Sequence, residues 1–300
     1  MKKLLSVIAL VVLVGCGSGG GGGSNGAVEH LYIGDENGRI TRMDDMSGAG
    51  ITTYGTLGTG QNQFQDSPYM YVDAQGRIFS GEPGTHKVIR VNDMLGTGWT
   101  TYGTFGSGVG QFHSPGSVFL DSQNRIYITD FLNDRIVRMD DMTGTNWTTF
   151  GSTGTGVGQF TRPLYLFLDS NNRIYVTDGR GRLIRMDDMN GTNWVEMQFN
   201  FPFGIWIDSA NRIYLGEADS NGANPRIIRM NDMTGAGLVS LTGIEGPVTV
   251  DSAGRIYGTD PVQTHTIVRV NDMTGAGRVT FGSFGTGVGQ FGNIQAMFIR

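Results

Sequence analysis

The sequence predicts an all-β protein, a six-bladed β-propeller of four-stranded antiparallel blades. Three observations lead to this fold class: a unit that recurs six times, four strand-like segments in each unit, and two chain ends that complement each other. The most constant part of the unit reads Arg-Met-Asp-Asp-Met-Thr-Gly with small variations, and its Asp-Met step recurs every 40 to 48 residues, at Asp45, Asp93, Asp141, Asp188, Asp232 and Asp272. A fixed period in this range is typical of propellers and solenoids, in which each unit packs against its neighbours.

The third unit shows the four strand-like segments clearly. An apolar run at 164–168 is followed by a β-branched and aromatic run at 173–177 and a third strand-like segment at 182–186, and a fourth segment begins at 194. Clusters of Gly, Asn and Asp separate them, which predicts an antiparallel meander. The first segment of each unit is apolar throughout, as expected of an inner strand that is covered on both faces.

The two chain ends predict how the ring closes. The first unit begins directly at its second strand, at 31–33, and lacks an inner strand. Residues 296–300 match the inner strands and are followed by no further segment of the unit. We therefore expect the C-terminal strand to complete the N-terminal blade, which closes the ring and removes the exposed sheet edges of an open stack.

Two stretches carry a family resemblance. Residues 121–138 (DSQNRIYITDFLNDRIVR) and 150–163 (FGSTGTGVGQFTRP) resemble the NHL repeat and the segment that joins consecutive NHL repeats. The resemblance extends over residues 27–300 and is weaker in units four and five, whose joining loops are short. It implies a propeller of NHL type. It does not imply one activity, because such propellers include protein scaffolds, RNA binders and a few lyases and lactonases.

The N-terminal residues predict export and a lipid anchor. Residues 1–15 combine a positive start with a short apolar run, which is typical of a signal peptide. The segment ending at Cys16 reads Leu-Val-Gly-Cys and resembles a bacterial lipobox, which implies acylation of Cys16; an ordinary signal peptide with a stray cysteine is the alternative. Residues 16–26 then form a Gly/Ser tether. Gly17, in place of Asp, implies delivery to the outer membrane.

The charge of the chain argues against one class of partner. The formal net charge is −5, and it becomes −7 when Lys2 and Lys3 leave with the signal peptide. A basic patch for nucleic acid is absent from the sequence. Most arginines recur at fixed positions of the unit, which favours pairing with equally recurrent acids over a functional basic surface.

A recurrent acid opens the loop between the second and third strands of every blade. The six positions are Asp35, Glu82, Asp130, Asp178, Glu217 and Asp260. The favoured interpretation is that each carboxylate caps its own turn and pairs with the arginine that starts the third strand, as Asp130 would with Arg135. The alternative is a calcium or zinc site, with Asp130, Asp178 and Asp260 as weak candidate ligands. The acids of the Asp-Met steps are expected on the opposite face, in Asx turns.

The joining segments at 106–112, 154–160 and 285–291 place glycines at every second position before Gln-Phe. A phosphate cradle would need a following helix to present its N-terminal amides, and the pattern predicts none. We therefore expect structural turns, with Phe112, Phe160 and Phe291 wedged between blades.

Side chains that break the internal symmetry define a candidate binding face. They lie in the joining loops, in the loops between second and third strands, and at the starts of inner strands: Tyr69, His86, His113, Arg162, Tyr165, Arg180 and His265. The three histidines are also candidate zinc ligands if they converge. No nucleophile–base motif is present in the sequence, so no catalytic residue is assigned.

These observations favour a monomeric, lipid-anchored envelope protein without a cofactor, whose propeller face binds a protein or glycan partner. The alternative is a divalent-cation-dependent lyase or lactonase with a site at the mouth of the central channel.

Overall fold

The structure is a computed structural model that describes residues 29–65, 69–218 and 224–300. The predicted signal peptide, Cys16 and the tether lie outside the described residues. The described chain contains six four-stranded antiparallel sheets, which are the blades, and four two-stranded parallel ribbons in the joining loops. None of its helical segments is long and apolar enough to traverse a lipid bilayer.

The strands follow one another in a regular order. Blade 1 begins with β1 (Leu31–Asp35), β2 (Arg39–Met43) and β3 (Thr52–Tyr54), followed by the ribbon β4 (Thr56–Leu57) and β5 (Gln63–Phe64). Blade 2 contains β6 (Tyr69–Val72), β7 (Ile78–Glu82), β8 (Lys87–Val91) and β9 (Thr100–Tyr102), followed by β10 (Thr104–Phe105) and β11 (Gln111–Phe112). Blade 3 contains β12 (Pro115–Leu120), β13 (Ile126–Asp130), β14 (Arg135–Met139) and β15 (Thr148–Phe150), with a 3₁₀ turn at Phe131–Asn133, followed by β16 (Ser152–Thr153) and β17 (Gln159–Phe160).

The second half repeats this order. Blade 4 contains β18 (Pro163–Leu168), β19 (Ile174–Asp178), β20 (Arg182–Met186) and β21 (Val195–Gln198). Blade 5 contains β22 (Phe201–Ile207), β23 (Ile213–Ala218), β24 (Arg226–Met230) and β25 (Val239–Thr242). Blade 6 contains β26 (Glu245–Val250), β27 (Ile256–Thr259), β28 (Ile267–Val270) and β29 (Val279–Phe281), followed by β30 (Ser283–Phe284), β31 (Gln290–Phe291) and the last strand, β32 (Ile294–Ile299).

The predicted closure is confirmed. Strand β32 pairs antiparallel with β1, so that Phe298 lies opposite Tyr32 and Met297 lies opposite Ile33. The inner strands β32, β6, β12, β18, β22 and β26 contact one another in sequence, and β26 contacts β32. The six blades therefore form a closed ring around one central axis, and the inner strand of blade 1 comes from the other end of the chain.

The alternation of strand direction divides the loops between two faces. One face carries the joining loops and the loops between second and third strands, and we call it the joining face. The other carries the remaining turns, and we call it the turn face. The chain enters at the turn face, where the Glu29 carboxylate accepts the backbone N–H of Ser252 at 3.0 Å.

The joining loops are fixed by buried phenylalanines, as predicted. Phe112, Phe160 and Phe291 are fully or almost fully buried, and so is Phe64 in the first joining loop. Gly103 adopts a left-handed φ of +115° against one of these rings, and a Cβ atom there would lie only 2.6 Å from Phe112. The Gly-rich pattern therefore serves close packing of the loop against its own phenylalanine.

The acids of the Asp-Met steps form the expected Asx turns on the turn face. In blade 3, Asp141 Oδ1 accepts the hydroxyl of Thr143 at 2.6 Å and its backbone N–H at 2.8 Å. These bonds lower the pKa of Asp141. The same backbone bond, from the residue two positions later, recurs in all six blades.

We expect removal of residues 295–300 to lower the melting temperature of the propeller by at least about 10 °C, or to prevent folding. The truncation takes away the buried side chains of Met297, Phe298 and Ile299 and leaves β1 as an open edge. Each buried side chain of this kind contributes roughly 1.5–3 kcal/mol, and 1 kcal/mol corresponds to about 2–4 °C in a domain of this size.

Thermal unfolding followed by circular dichroism measures this effect. Removal of the exposed Arg300 alone is the control, with little expected change. A six-residue truncation that melts with the full-length protein would contradict closure through β32.

Candidate functional site

Aromatic side chains fill the central channel. Five of the six inner strands place one ring at the same level: Phe298, Tyr71, Phe119, Phe167 and Trp206. Neighbouring ring centroids are 4.5–5.4 Å apart, so each ring contacts the next. Burial raises the pKa of Tyr71 to about 12, so its hydroxyl is neutral at physiological pH. The channel is therefore plugged by an apolar layer.

Tyr69 and Tyr165 lie above this plug, at the mouth of the channel on the joining face. Their ring centroids are 5.9 Å apart in an edge-to-face arrangement, and both rings line a cavity of about 60 Å³. Burial raises the pKa of Tyr165. None of the described side chains around this cavity is charged. The cavity has room for a few water molecules and offers no carboxylate or imidazole to a cation.

Two of the three candidate histidines come together. The rings of His86, His113 and Phe105 form a triangle, with the Phe105 centroid 4.9 Å from each imidazole and the two imidazoles 5.8 Å apart. His86 Nδ1 accepts the backbone N–H of Ser114 at 3.2 Å, which leaves the proton of the neutral ring on Nε2. Burial, and secondarily His113, lowers the pKa of His86.

The third histidine lies elsewhere. His265 belongs to blade 6 and packs against Phe284, with ring centroids 5.6 Å apart. Within residues 29–65, 69–218 and 224–300, no group of three or more His, Cys, Asp or Glu side chains is placed to hold a metal ion. The zinc hypothesis therefore has no ligand cluster in this part of the chain.

The two candidate arginines are solvent-exposed on the joining face. Arg162 holds its guanidinium 6.0 Å from the ring centroid of Phe131, and its backbone N–H donates to Asp134 at 2.6 Å. The backbone N–H of Arg180 donates to Asp178 at 3.0 Å. Arg162 thus lies beside the loop that binds the His113 carbonyl, and Arg180 lies in the next blade, whose loop binds the Arg162 carbonyl at 3.1 Å.

Four of the six recurrent acids at the ends of the second strands bind the arginine that starts the third strand, as favoured by the sequence. In blade 2 that position is Lys87, opposite Glu82. Asp130 contacts Arg135 at 2.8 Å, and Asp178 contacts Arg182 at 2.7 Å. Asp35 and Glu217 have the same kind of partner. Asp260 departs from the expectation, because its partner is Arg278, which directly precedes the fourth strand, at 2.9 Å.

The acid also holds the incoming joining loop. The Asp130 carboxylate is fully buried and accepts the backbone N–H of His113 at 2.7 Å. Burial raises the pKa of Asp130, opposed by its hydrogen bonds to Asn133, His113 and Arg135. A buried carboxylate with these partners helps to hold neighbouring blades together. Among the described residues, Asp130, Asp178 and Asp260 do not belong to any group of three or more possible metal ligands.

The arginine that binds this acid also donates hydrogen bonds to the joining loop. We call the acid, its arginine and the loop carbonyls that the arginine binds the clasp. Arg135 donates through Nη1 to the Ser107 carbonyl at 2.7 Å and through Nη2 to the Gln111 carbonyl at 2.9 Å. One guanidinium therefore links a buried acid to two carbonyls of the preceding joining loop.

The sequence interpretation missed two features of this face. The first is Lys87, which stands where blades 1, 3, 4 and 5 carry the arginine of the clasp; its substitution is visible in an alignment of the units. The second is a set of exposed apolar side chains on the joining loops, such as Phe105 and Val109. These are hidden within a motif that otherwise serves packing.

Comparisons with known proteins agree with the fold. The chain is similar to a chain of the nidogen/laminin complex, with 19% identity, a TM-score of 0.66, and coverage of 90% of this chain and 98% of that one. It is also similar to an inactive virginiamycin B lyase from Staphylococcus aureus with quinupristin (15% identity, TM-score 0.51, 81% of each chain). A gluconolactonase from Xanthomonas campestris is a third example (13% identity, TM-score 0.55, 76% of this chain and 78% of that one).

Neither a protein-family model nor a curated protein matches the sequence. Identities this low establish the six-bladed propeller architecture alone. Membership of the NHL-repeat family therefore stays a prediction.

We expect Asp130→Ala to lower the free energy of unfolding by about 3–5 kcal/mol, because it leaves the Arg135 guanidinium without its buried counter-charge. Urea denaturation measures the loss, with and without a chelator. Asp141→Ala, which removes an exposed Asx-turn acid, is the matched control and should lose clearly less.

The wild-type midpoint should not change with chelator. If chelator lowered the urea midpoint of the wild type but not that of Asp130→Ala, this acid would belong to a cation site instead.

Proposed function

We propose that this chain is a lipid-anchored binding or scaffold protein of the bacterial cell envelope, whose joining face binds a partner protein. An envelope glycan is the other partner class considered. The observation that carries the proposal is the concentration of exposed apolar side chains on that face.

Nine such side chains form what we call the apolar rim. They are 40–88% exposed and comprise Leu57, Phe105, Val109, Leu132, Val157, Phe201, Val262, Phe284 and Val288. Six of them come from joining loops at equivalent positions. Phe105 and Phe284 contact histidine rings, yet all nine side chains stay largely exposed, so burial in the core does not explain their recurrence. Exposed apolar groups gathered on one face are typical of an interaction surface.

The side chains around the rim fit a protein partner. Arg162, Arg180 and the His86–Phe105–His113 cluster lie on the same face. Aromatic residues and arginine are enriched in protein interfaces, whereas lysine and acids are depleted. Five of the six recurrent acids of this face are buried, which removes their charge from the surface.

The position of the chain entry supports an anchored orientation. Glu29 lies on the turn face, opposite the apolar rim. An acylated Cys16 on a tether of about ten residues, with a reach of roughly 15–20 Å, would attach that face to the membrane. The joining face would then be directed away from the lipid and towards a partner.

The enzyme alternative has weaker support. A divalent-cation-dependent lyase or lactonase would need charged ligands at the channel mouth, and the described cavity there is lined by uncharged side chains. The two clustered histidines lack a third ligand among the described residues.

We expect the combined substitutions Phe105→Ser, Phe284→Ser and Val288→Ser to weaken partner binding at least tenfold, because they remove three exposed apolar contacts of the rim. The partner is captured from envelope extract with wild-type protein, purified, and then titrated against each variant by calorimetry. The melting temperature should change little, since none of the three side chains is buried.

Leu95→Ser and Leu238→Ser are the matched controls, because both leucines are exposed on the turn face. They should bind as the wild type does. A rim variant that binds with wild-type affinity would contradict the assignment of this face.

We expect Cys16→Ser to move the protein from the membrane fraction to the soluble fraction and to abolish incorporation of labelled palmitate, because it removes the acylated thiol. Cell fractionation and metabolic labelling of the full chain measure both effects. Ser24→Ala, in the same tether, should leave both unchanged. Membrane association of the Cys16→Ser protein would overturn the anchor.

A further inference from the structure

We propose that blade 2 carries a preformed pocket for a guanidinium group, supplied by a ligand rather than by the propeller itself. The argument starts from the clasp that the other blades share. In five of the six blades a guanidinium contacts the acid at the end of the second strand: Arg39, Arg135, Arg182, Arg226 and Arg278. The first four of these arginines start the third strand, and at that place in blade 2 stands Lys87, opposite Glu82 in the strand register.

Three of these arginines make the same pair of bonds to the joining loop. Arg135 binds the carbonyls of Ser107 and Gln111. Arg39 binds those of Thr286 and Gln290, at 2.7 and 2.8 Å. Arg182 binds their counterparts in the third loop in the same way, at 3.0 and 2.9 Å. The loop carbonyls and the acid thus form a fixed receptor for one planar fork of N–H donors.

Blade 2 retains the loop half of this receptor. In its joining loop, Gly60 N–H donates to Gln63 Oε1 at 2.9 Å and Gly58 N–H donates to the Phe64 carbonyl at 2.9 Å. The equivalent bonds in the next loop measure 2.9 and 3.0 Å. The carbonyls of Thr59 and Gln63 therefore hold the positions that bind arginine elsewhere.

Blade 2 also retains the acid. Glu82 is almost completely buried, and its Oε2 accepts the backbone N–H of Gln65 at 3.0 Å, as Asp130 accepts that of His113. The carboxylate is thus fixed at the floor of the site before any ligand arrives.

A cavity of about 180 Å³ occupies the place where the other blades carry the guanidinium. Thr59, Gln63, Glu82 and Lys87 line it, and the indole of Trp99 forms one wall. An aromatic wall beside a carboxylate suits a planar cation, which can stack on the ring while its N–H groups reach the oxygens. Lysine carries a compact ammonium without this fork, so Lys87 does not reproduce the arginine contacts.

The ligand is therefore identified by its guanidinium. An arginine side chain of the proposed partner and free arginine share this chemistry. That the partner protein supplies the guanidinium rests on the proposed function. That the pocket binds a guanidinium does not, and it is measured separately.

The test uses the propeller, residues 27–300, which closes its ring within itself. N-acetyl-arginine amide is titrated by NMR, with N-acetyl-lysine amide as the comparison. We expect the arginine compound to bind at least tenfold more tightly. Lys87→Arg should abolish this binding, since its own guanidinium fills the pocket, and should raise the melting temperature by about 2–4 °C.

Lys87→Met is the matched control, because it removes the ammonium without supplying a guanidinium. It should bind the arginine compound at least as tightly as the wild type does. No binding to the wild type, equal binding to Lys87→Arg, or loss of binding in a folded Lys87→Met would overturn the proposal.

Two further ligands distinguish the sources. Tighter binding of a capped Gly-Arg-Gly peptide assigns the pocket to a polypeptide partner, whereas tighter binding of free arginine assigns it to a metabolite; either supports the guanidinium site. Rim variants that keep partner binding, with an intact arginine titration, would refute the binding face and leave the pocket standing.

Discussion

In blades 1 to 5, a buried carboxylate at the end of the second strand is the contact on which the order of the ring depends. This carboxylate accepts a backbone N–H from the joining loop. Except in blade 2, it also binds a guanidinium, which in blades 1, 3 and 4 donates to carbonyls of the same loop. A buried charge of this kind is tolerable only with such partners. Because one side chain connects two blades, each blade fixes the loop that precedes it, and the wedged phenylalanines then bury their rings.

Much of the fold follows from the sequence because residues that recur at the same place in every unit can be recognised as structural. The period, the turn residues and the complementary ends predict six blades and their closure, and the spacing of Asp130 and Arg135 predicts their pair. The pairing of Asp260 with Arg278 does not follow, since the partner comes from another strand. The aromatic plug does not follow either, because which side chains meet on the axis depends on the ring radius.

The candidate site was less predictable for a related reason. His86 and His113 lie on different blades, and whether they meet depends on how the loop carrying Phe105 folds between them. His265 is the equivalent of His86 in blade 6, and it contacts Phe284, which is the equivalent of Phe105. The two sites differ because Gly292 stands where His113 stands, so that blade 6 lacks a second imidazole. Whether Val109 is exposed likewise depends on which way the joining loop turns its side chains, and the Gly-rich motif of the loop does not specify this.

Positions that break the repeat without stabilising the ring are the ones to connect with function. With Lys87 in place of arginine, blade 2 lacks the arginine bonds of the clasp. The joining loop before blade 2 keeps its shape because Phe64 and Gln63 still hold it. The neighbouring His86 adopts a left-handed φ of +59° and packs against Phe105 of the rim. The proposed pocket, the histidine pair and part of the rim therefore adjoin around blades 2 and 3. A partner that inserts an arginine into the pocket of blade 2 would cover the exposed ring of Phe105 with its neighbouring residues. It would then make a charged contact and an apolar contact side by side.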